Sequence, residues 1–216
     1  MNSLHDPNIS TALDRLHEAA SRDLPNIAKG FLRALGRKIE PSDLAQAYIA
    51  ITARQGRLLY SLARMAKARH LVEFGASFGI STLYLASAAR DNGGHITTTE
   101  IEPNKCAAVR SLIEETGLQD TVTLLEGDAT QTLANTEGSV DFLFLDAWSQ
   151  HYVSIMKLLE PRFVTGTPIV RDNAGRGGAH GYVNYIKKRP ELFARTMLAM
   201  KNRPTELVTY LGDNDA

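Results

Sequence analysis

Residues 70–86, HLVEFGASFGISTLYLA, change character twice in one short stretch: an apolar run gives way to a turn bearing Gly75 and Gly79, and apolar spacing of helical period resumes beyond it. That order restricts the fold. Residues 71–74 suit a strand buried on both faces, the glycines permit a turn with close backbone approach, and Ser81 or Thr82 suits the opening of the helix that follows. Strand, glycine loop and helix in succession are how open α/β sheets hold small ligands, because the loop N–H groups and the helix N-terminus together attract an anionic group. A dinucleotide fingerprint reads G-x-G-x-x-G, and at its middle position this chain has Ser77. The loop therefore argues against an NAD-binding oxidoreductase.

The rest of the chain alternates in the same way. Ile9, Leu13, Leu16 and Ala20, then Ile27, Phe31 and Leu35, recur at helical spacing with Pro25 near the break. Residues 1–40 thus read as an N-terminal helical extension, fit to cover the core, to form a lid or to make a homodimer contact, ahead of a single α/β domain over 41–216. Pro41-Ser42-Asp43 offers caps for a helix over 44–53, and Gln55-Gly56 precedes one whose Leu58, Leu59, Leu62 and Met65 face the core. Strands are predicted at 96–100, 122–126, 140–145 and 167–170, separated by helices over 81–89 and 103–116. The run 140–145 is the most hydrophobic and suits the central strand. A helix over 182–188 precedes segments 193–200 and 206–211, which pair antiparallel about a turn at Lys201-Asn202-Arg203-Pro204, and 212–216 form a tail. The fold class is α/β: a Rossmann-like, doubly wound, seven-stranded, mostly parallel sheet with one antiparallel edge strand, plus N-terminal helices.

Composition narrows the partners. With 24 basic and 24 acidic residues, no global field favours nucleic acid or an anionic membrane, and no apolar run is long enough to span a bilayer. The lone Cys106 excludes an intrachain disulfide and a cysteine-based zinc cluster; with a polar N-terminus lacking an apolar h-region, it indicates the cytoplasm. The expected partner is a small molecule.

Ligands of open α/β sheets bind at the carboxyl ends of the strands. Glu100 ends the second strand about 25 residues beyond Gly75, close to the spacing of a ribose-binding carboxylate; its other role would be to cap the helix starting at Pro103, which Glu102 also suits. Asp128, Ala129 and Thr130 follow the third strand, where they would meet an adenine edge or, for Asp128, cap a helix. Asp146 and the pair Asp172-Asn173 end two further strands. Two carboxylates and an amide oxygen are hard donors suited to Mg²⁺ or a similar divalent cation that keeps positions for water and for a catechol-like diol. Without a metal, Asp146 would hydrogen-bond the cofactor and Asp172-Asn173 would be loop caps.

These stretches carry a family resemblance. Glu73 followed by Gly75-x-x-x-Gly79 resembles motif I of the class I S-adenosylmethionine (SAM) dependent methyltransferases, and residues 55–210 resemble the cation-dependent O-methyltransferases of the catechol O-methyltransferase type. The resemblance implies SAM held by Glu73, Gly75, Ser77, Gly79, Ser81, Glu100, Ile101, Asp128, Ala129, Asp146 and Trp148, with Ser81 at the methionine part and Trp148 bordering cofactor and substrate. It implies a metal set of Asp146, Asp172 and Asn173, and a hydroxylated small molecule as methyl acceptor. One departure stands out. The family has a lysine as general base three positions after the first metal-ligand aspartate, and here that position is Ser149. Asp146 as a metal ligand and His151 as a substitute base are then the catalytic candidates, with His180, Lys187 and Lys188 as further basic groups. A metal-independent small-molecule methyltransferase and a SAM-binding protein that has lost catalysis are the alternatives. Base methylation of the adenine-N6 type is disfavoured, because the fourth strand ends in Asp146-Ala147-Trp148 and not in an Asn/Asp-Pro-Pro-aromatic turn.

Overall fold

Parallel strands need a long crossover after each strand, and the chain supplies a helix for most of them. In the computed structural model, which describes residues 2–174, 178–199 and 204–212, the helices are α1 (Pro7–Ser21), α2 (Leu24–Arg33), α3 (Ala53–Met65), α4 (Ile80–Asp91), α5 (Pro103–Glu115), α6 (Ala129–Thr132), α7 (Tyr152–Leu159) and α8 (His180–Lys187). The strands are β1 (His70–Phe74), β2 (His95–Glu100), β3 (Val122–Glu126), β4 (Phe142–Leu145), β5 (Pro168–Arg171), β6 (Phe193–Leu198) and β7 (Thr205–Tyr210). The middle of the glycine-rich loop (175–177), the expected turn at 201–203 and the tail residues 213–216 lie outside the described residues.

The seven strands form one sheet in the order β3-β2-β1-β4-β5-β7-β6, with β4 central as its apolar run predicts. Strands β1 to β5 are parallel, and β7 pairs antiparallel with both β5 and the outermost β6, so the reversed strand sits one place in from that edge. Side chains alternate across the sheet. Leu71, Phe142 and Phe144 pack on one face beneath α1, α3 and α4, while Val72, Leu143 and Leu145 pack on the other against α7 and α8. Both faces are covered, which is why β4 reads as an unbroken apolar run and β1 as one broken only by Glu73. Gly56 lets α3 lie tight on α4, since a Cβ there would stand 2.1 Å from the Tyr84 ring. Among the described residues no helix is long and apolar enough to cross a membrane.

Three local expectations are corrected. The predicted helix over 44–53 is replaced by one short 3-10 turn, Pro41–Leu44, and a non-helical strap over 45–52. Ile49, Ile51 and Thr52 are β-branched, and the Tyr48 amide donates to the buried Asp23 carboxylate (2.5 Å) instead of continuing a helix. Met65 is 79% exposed, its expected place in the core taken by Ala63. Helix α1 buries Ile9, Ala12, Leu13 and Leu16, but α2 turns Gly30 inward and leaves Leu24, Phe31 and Leu35 exposed.

Where β5 meets β7, the core holds charge. Glu206, fully buried, accepts hydrogen bonds from Arg171 Nε (2.6 Å) and from Arg195 Nε. Removing one member of a buried, hydrogen-bonded ion cluster strands its partners without solvent. Glu206→Ala is therefore expected to lower the free energy of unfolding by about 3–5 kcal/mol, measured by urea denaturation at neutral pH. A loss below about 1 kcal/mol, the range of exposed pairs, would contradict this reading of the cluster.

Candidate functional site

The register brings the ends of five strands to one rim: Phe74 pairs with Thr99 and with Leu145, Leu145 with Arg171, and Glu100 with Glu126. Beyond these ends lies a cavity of about 540 Å³, bordered by Gly75, Glu100, Asp128, Asp146, Trp148 and Asp172. It opens where the strand order reverses between β1 and β4, the switch point at which neighbouring loops diverge.

The loop after β1 comes closest to its neighbour there. Gly75 has φ +102, and a Cβ on it would stand 2.8 Å from Ala147 Cβ and 3.0 Å from the Asp146 carbonyl oxygen. Ser77 takes a left-handed conformation (φ +48), uncommon for a residue with a side chain. Its amide donates to Glu100 Oε2 (2.7 Å), while its buried hydroxyl has no protein partner. An orphaned hydroxyl on a left-handed loop at the cavity wall suits a polar ligand group. Gly79, with φ +86, stands at the N-cap and α4 begins at Ile80, so neither Ser81 nor Thr82 opens the helix. Ser81 is buried and borders a small recess that shares Gly75, Ser77 and Asp146 with the main cavity.

Glu73 and Gly79 support the cavity from behind and do not border it. Glu73 is fully buried, and its Oε2 accepts from Thr82 (2.5 Å) and Thr98 (2.6 Å). Burial pushes its carboxyl well above the usual range, with the hydroxyl bonds opposing.

Glu100 is tied to the backbone just ahead of α5. Oε1 accepts from the amides of Ile101 and Glu102 (both 2.9 Å), the two residues ahead of α5, and Glu100 lines the cavity. Glu102 holds the N-cap position without a capping bond from its side chain. Asp128 caps α6 through the Thr130 amide (2.8 Å) and hydroxyl (2.7 Å), bonds that hold its carboxyl below the usual range. His151 lines the same cavity. Ile101, Ala129, Trp148 and Ser149 line the same space; His180, Lys187 and Lys188 do not.

At the other end stand Asp146, Asp172 and Asn173, all at the cavity wall. Asp172 is 3% exposed; Gln55 Nε2 donates to its Oδ1 (2.5 Å) and Asn173 Nδ2 to its Oδ2 (2.7 Å). Asn173 is left-handed (φ +52), a conformation asparagine tolerates. Among the described residues no group of three His, Cys, Asp or Glu side chains is placed to hold a metal. Two carboxylates with an amide oxygen make a different set, chemically suited to a hard divalent ion.

Gln55, Arg171 and Lys105 were not anticipated at the site. Lys105 is 6% exposed, lines the cavity and lies with its ammonium 5.4 Å from the Phe78 ring centre; Phe78 in turn stacks on Tyr48 of the strap (4.2 Å). Gln55 had a visible signal, since Thr52-x-x-Gln55 is a capping box, and the structure shows both of its bonds.

Comparison with known proteins agrees with this geometry. Residues 72–174 match a family described as a methyltransferase domain. A catechol O-methyltransferase of Mycobacterium tuberculosis is 33% identical over 147 residues, which cover 67% of this chain and 66% of that protein, just under two thirds of its length. A Mycolicibacterium smegmatis protein that carries an O-methyltransferase name is 34% identical over 172 residues, covering 76% of this chain and 80% of that one. Among solved structures, cofactor-bound Rv0187 from M. tuberculosis superposes with a TM-score of 0.70 at 26% identity, covering 88% of this chain and 92% of that one.

Because burial raises the Glu73 carboxyl in the folded chain, its contribution to stability is full below about pH 4.3 and is lost as pH rises through the raised folded value. The slope reaches at most about 1.4 kcal/mol per pH unit. Glu73→Gln, which cannot ionise, should gain on the wild type between pH 5 and pH 7 in urea unfolding. Parallel stability profiles would contradict a carboxyl raised by burial.

Proposed function

Since the chain belongs to the SAM-dependent O-methyltransferase family, we propose that it transfers the methyl group of SAM to a hydroxyl of a small, catechol-like aromatic molecule with the help of a divalent cation such as Mg²⁺. One observation carries this reading: a left-handed glycine loop, an acid at the ribose position and an oxygen donor set at the ends of neighbouring strands border a single cavity.

SAM supplies an electrophilic methyl on its sulfonium, so the protein's task is to bind, orient and manage one proton. Ser77, Gly75 and the Ser81 recess receive the methionine part, and Glu100 accepts from the ribose hydroxyls while its backbone bonds keep it from turning away. Asp128, Ala129 and Ile101 border the adenine. Trp148 presents an apolar face between the nucleoside and the acceptor.

Asp146, Asp172 and Asn173 would hold the cation. When bound, it would supply positive charge that lowers the pKa of the acceptor hydroxyl. Ser149 stands where relatives of this type carry a lysine, and a serine hydroxyl does not take up a proton at neutral pH. His151 lines the same cavity, so the acceptor's proton passes either to its imidazole or, once the hydroxyl is acidified, directly to water. The Ser149 position also favours a second reading, a SAM-binding protein without turnover.

Methyl transfer from SAM to a panel of catechols should require Mg²⁺, stop on chelation, and fall by more than about 100-fold in kcat/KM in Asp172→Ala. Activity indifferent to chelator would remove the cation from the reading. Tight SAM binding without turnover on any acceptor would favour the second reading.

A further inference from the structure

Gln55 lies in the first turn of α3, 3% exposed, and 117 residues separate it in sequence from Asp172. Its amide is used on both sides. The Thr52 amide (3.0 Å) and hydroxyl (3.1 Å) donate to Oε1, while Nε2 donates to Asp172 Oδ1 (2.5 Å) and to Thr205 Oγ1 (3.3 Å). The orientation is fixed by chemistry: the Thr52 amide is only a donor, so Oε1 faces it and the NH₂ group faces Asp172.

We infer that Gln55 is the positioning residue of the cation site: it holds the plane of the Asp172 carboxylate and ties it to the strap that ends at Thr52. This inference rests on the reading of Asp146, Asp172 and Asn173 as cation donors. A neutral amide is the right group for the task. It leaves the negative charge of Asp172 in place, where a lysine would neutralise it and a glutamate would repel it. The tie also spans three elements, because Thr52 caps α3, Asp172 ends β5 and Thr205 begins β7. Ile49, in the same strap, lines the main cavity. Hydrogen-bonding partners of metal-binding carboxylates orient them, and their loss typically weakens metal affinity by about 10–100-fold.

The test is Mn²⁺ binding to the full chain, read by electron paramagnetic resonance of free Mn²⁺, in the wild type, Gln55→Leu and Asp172→Ala, with SAM affinity measured by calorimetry on the same samples. The wild type is expected to bind Mn²⁺ saturably, Asp172→Ala to lose it, and Gln55→Leu to bind about 10–100-fold more weakly with SAM affinity unchanged. Wild-type Mn²⁺ affinity in Gln55→Leu overturns the positioning role, and so does a parallel loss of SAM affinity, which would reduce Gln55 to a cap of α3. Absence of Mn²⁺ binding in the wild type overturns the cation reading itself, and this inference with it. A second measurement needs no substitution: the side-chain amide signal of Gln55, recognised in NMR by its contact with Thr52, should shift when Mg²⁺ is added. A signal that stays in place while Mn²⁺ binds overturns the inference even if Gln55→Leu fails to fold.

Discussion

The hydrogen bond from the Ser77 amide to the Glu100 carboxylate is the constraint on which the site depends. A glycine loop is soft, and its N–H groups form a cradle only if something outside the loop fixes them. Here an acid from the neighbouring strand does so, accepting from Ser77 on one oxygen and from Ile101 and Glu102 on the other. The loop after β1, the end of β2 and the start of α5 are thereby one unit. Its left-handed Ser77 is held by that bond, and its orphaned hydroxyl is left for a ligand.

Buried polar groups recur around this unit, most of them matched to partners. Glu73 is buttressed by Thr82 and Thr98, Asp172 by Gln55 and Asn173, Glu206 by two arginines. Such groups contribute little net stability compared with apolar side chains of the same volume, but a missing partner costs several kcal/mol, on the order of 3–5 for a broken ion pair. They make the ends of β1, β2 and β5 rigid in register, and a rigid rim lets a loop and a donor set from distant parts of the chain address one ligand.

Much of this was legible in the sequence, for physical reasons that differ by residue. The glycine loop announced itself because only a turn with close backbone approach needs Gly75 and Gly79 between an apolar run and a helical period. Asp146 and Asp172-Asn173 were legible because polar residues that end buried strands of a parallel sheet must emerge at the ligand-bearing rim. What failed was local propensity where long-range bonds decide. The strap over 45–52 had helical caps before it, yet its Tyr48 amide is claimed by Asp23, and the Lys105–Phe78–Tyr48 column holds it against the glycine loop. Glu102 holds the N-cap position its place suggested, but its side chain makes no capping bond. Gln55 was visible as a capping box, whereas its bond to Asp172 is a contact across 117 positions that no local pattern encodes.

In the proposed function one cavity takes a nucleoside-bearing cofactor at Glu100 and a divalent ion at Asp146, Asp172 and Asn173. Diffraction from crystals grown with S-adenosylhomocysteine and Mn²⁺, recorded at a wavelength where manganese scatters anomalously, tests both halves at once. The account predicts a single anomalous peak within ligating distance of the three donors and ribose hydroxyls on the Glu100 carboxylate. A fully occupied cofactor with no anomalous density at the donor set would contradict it.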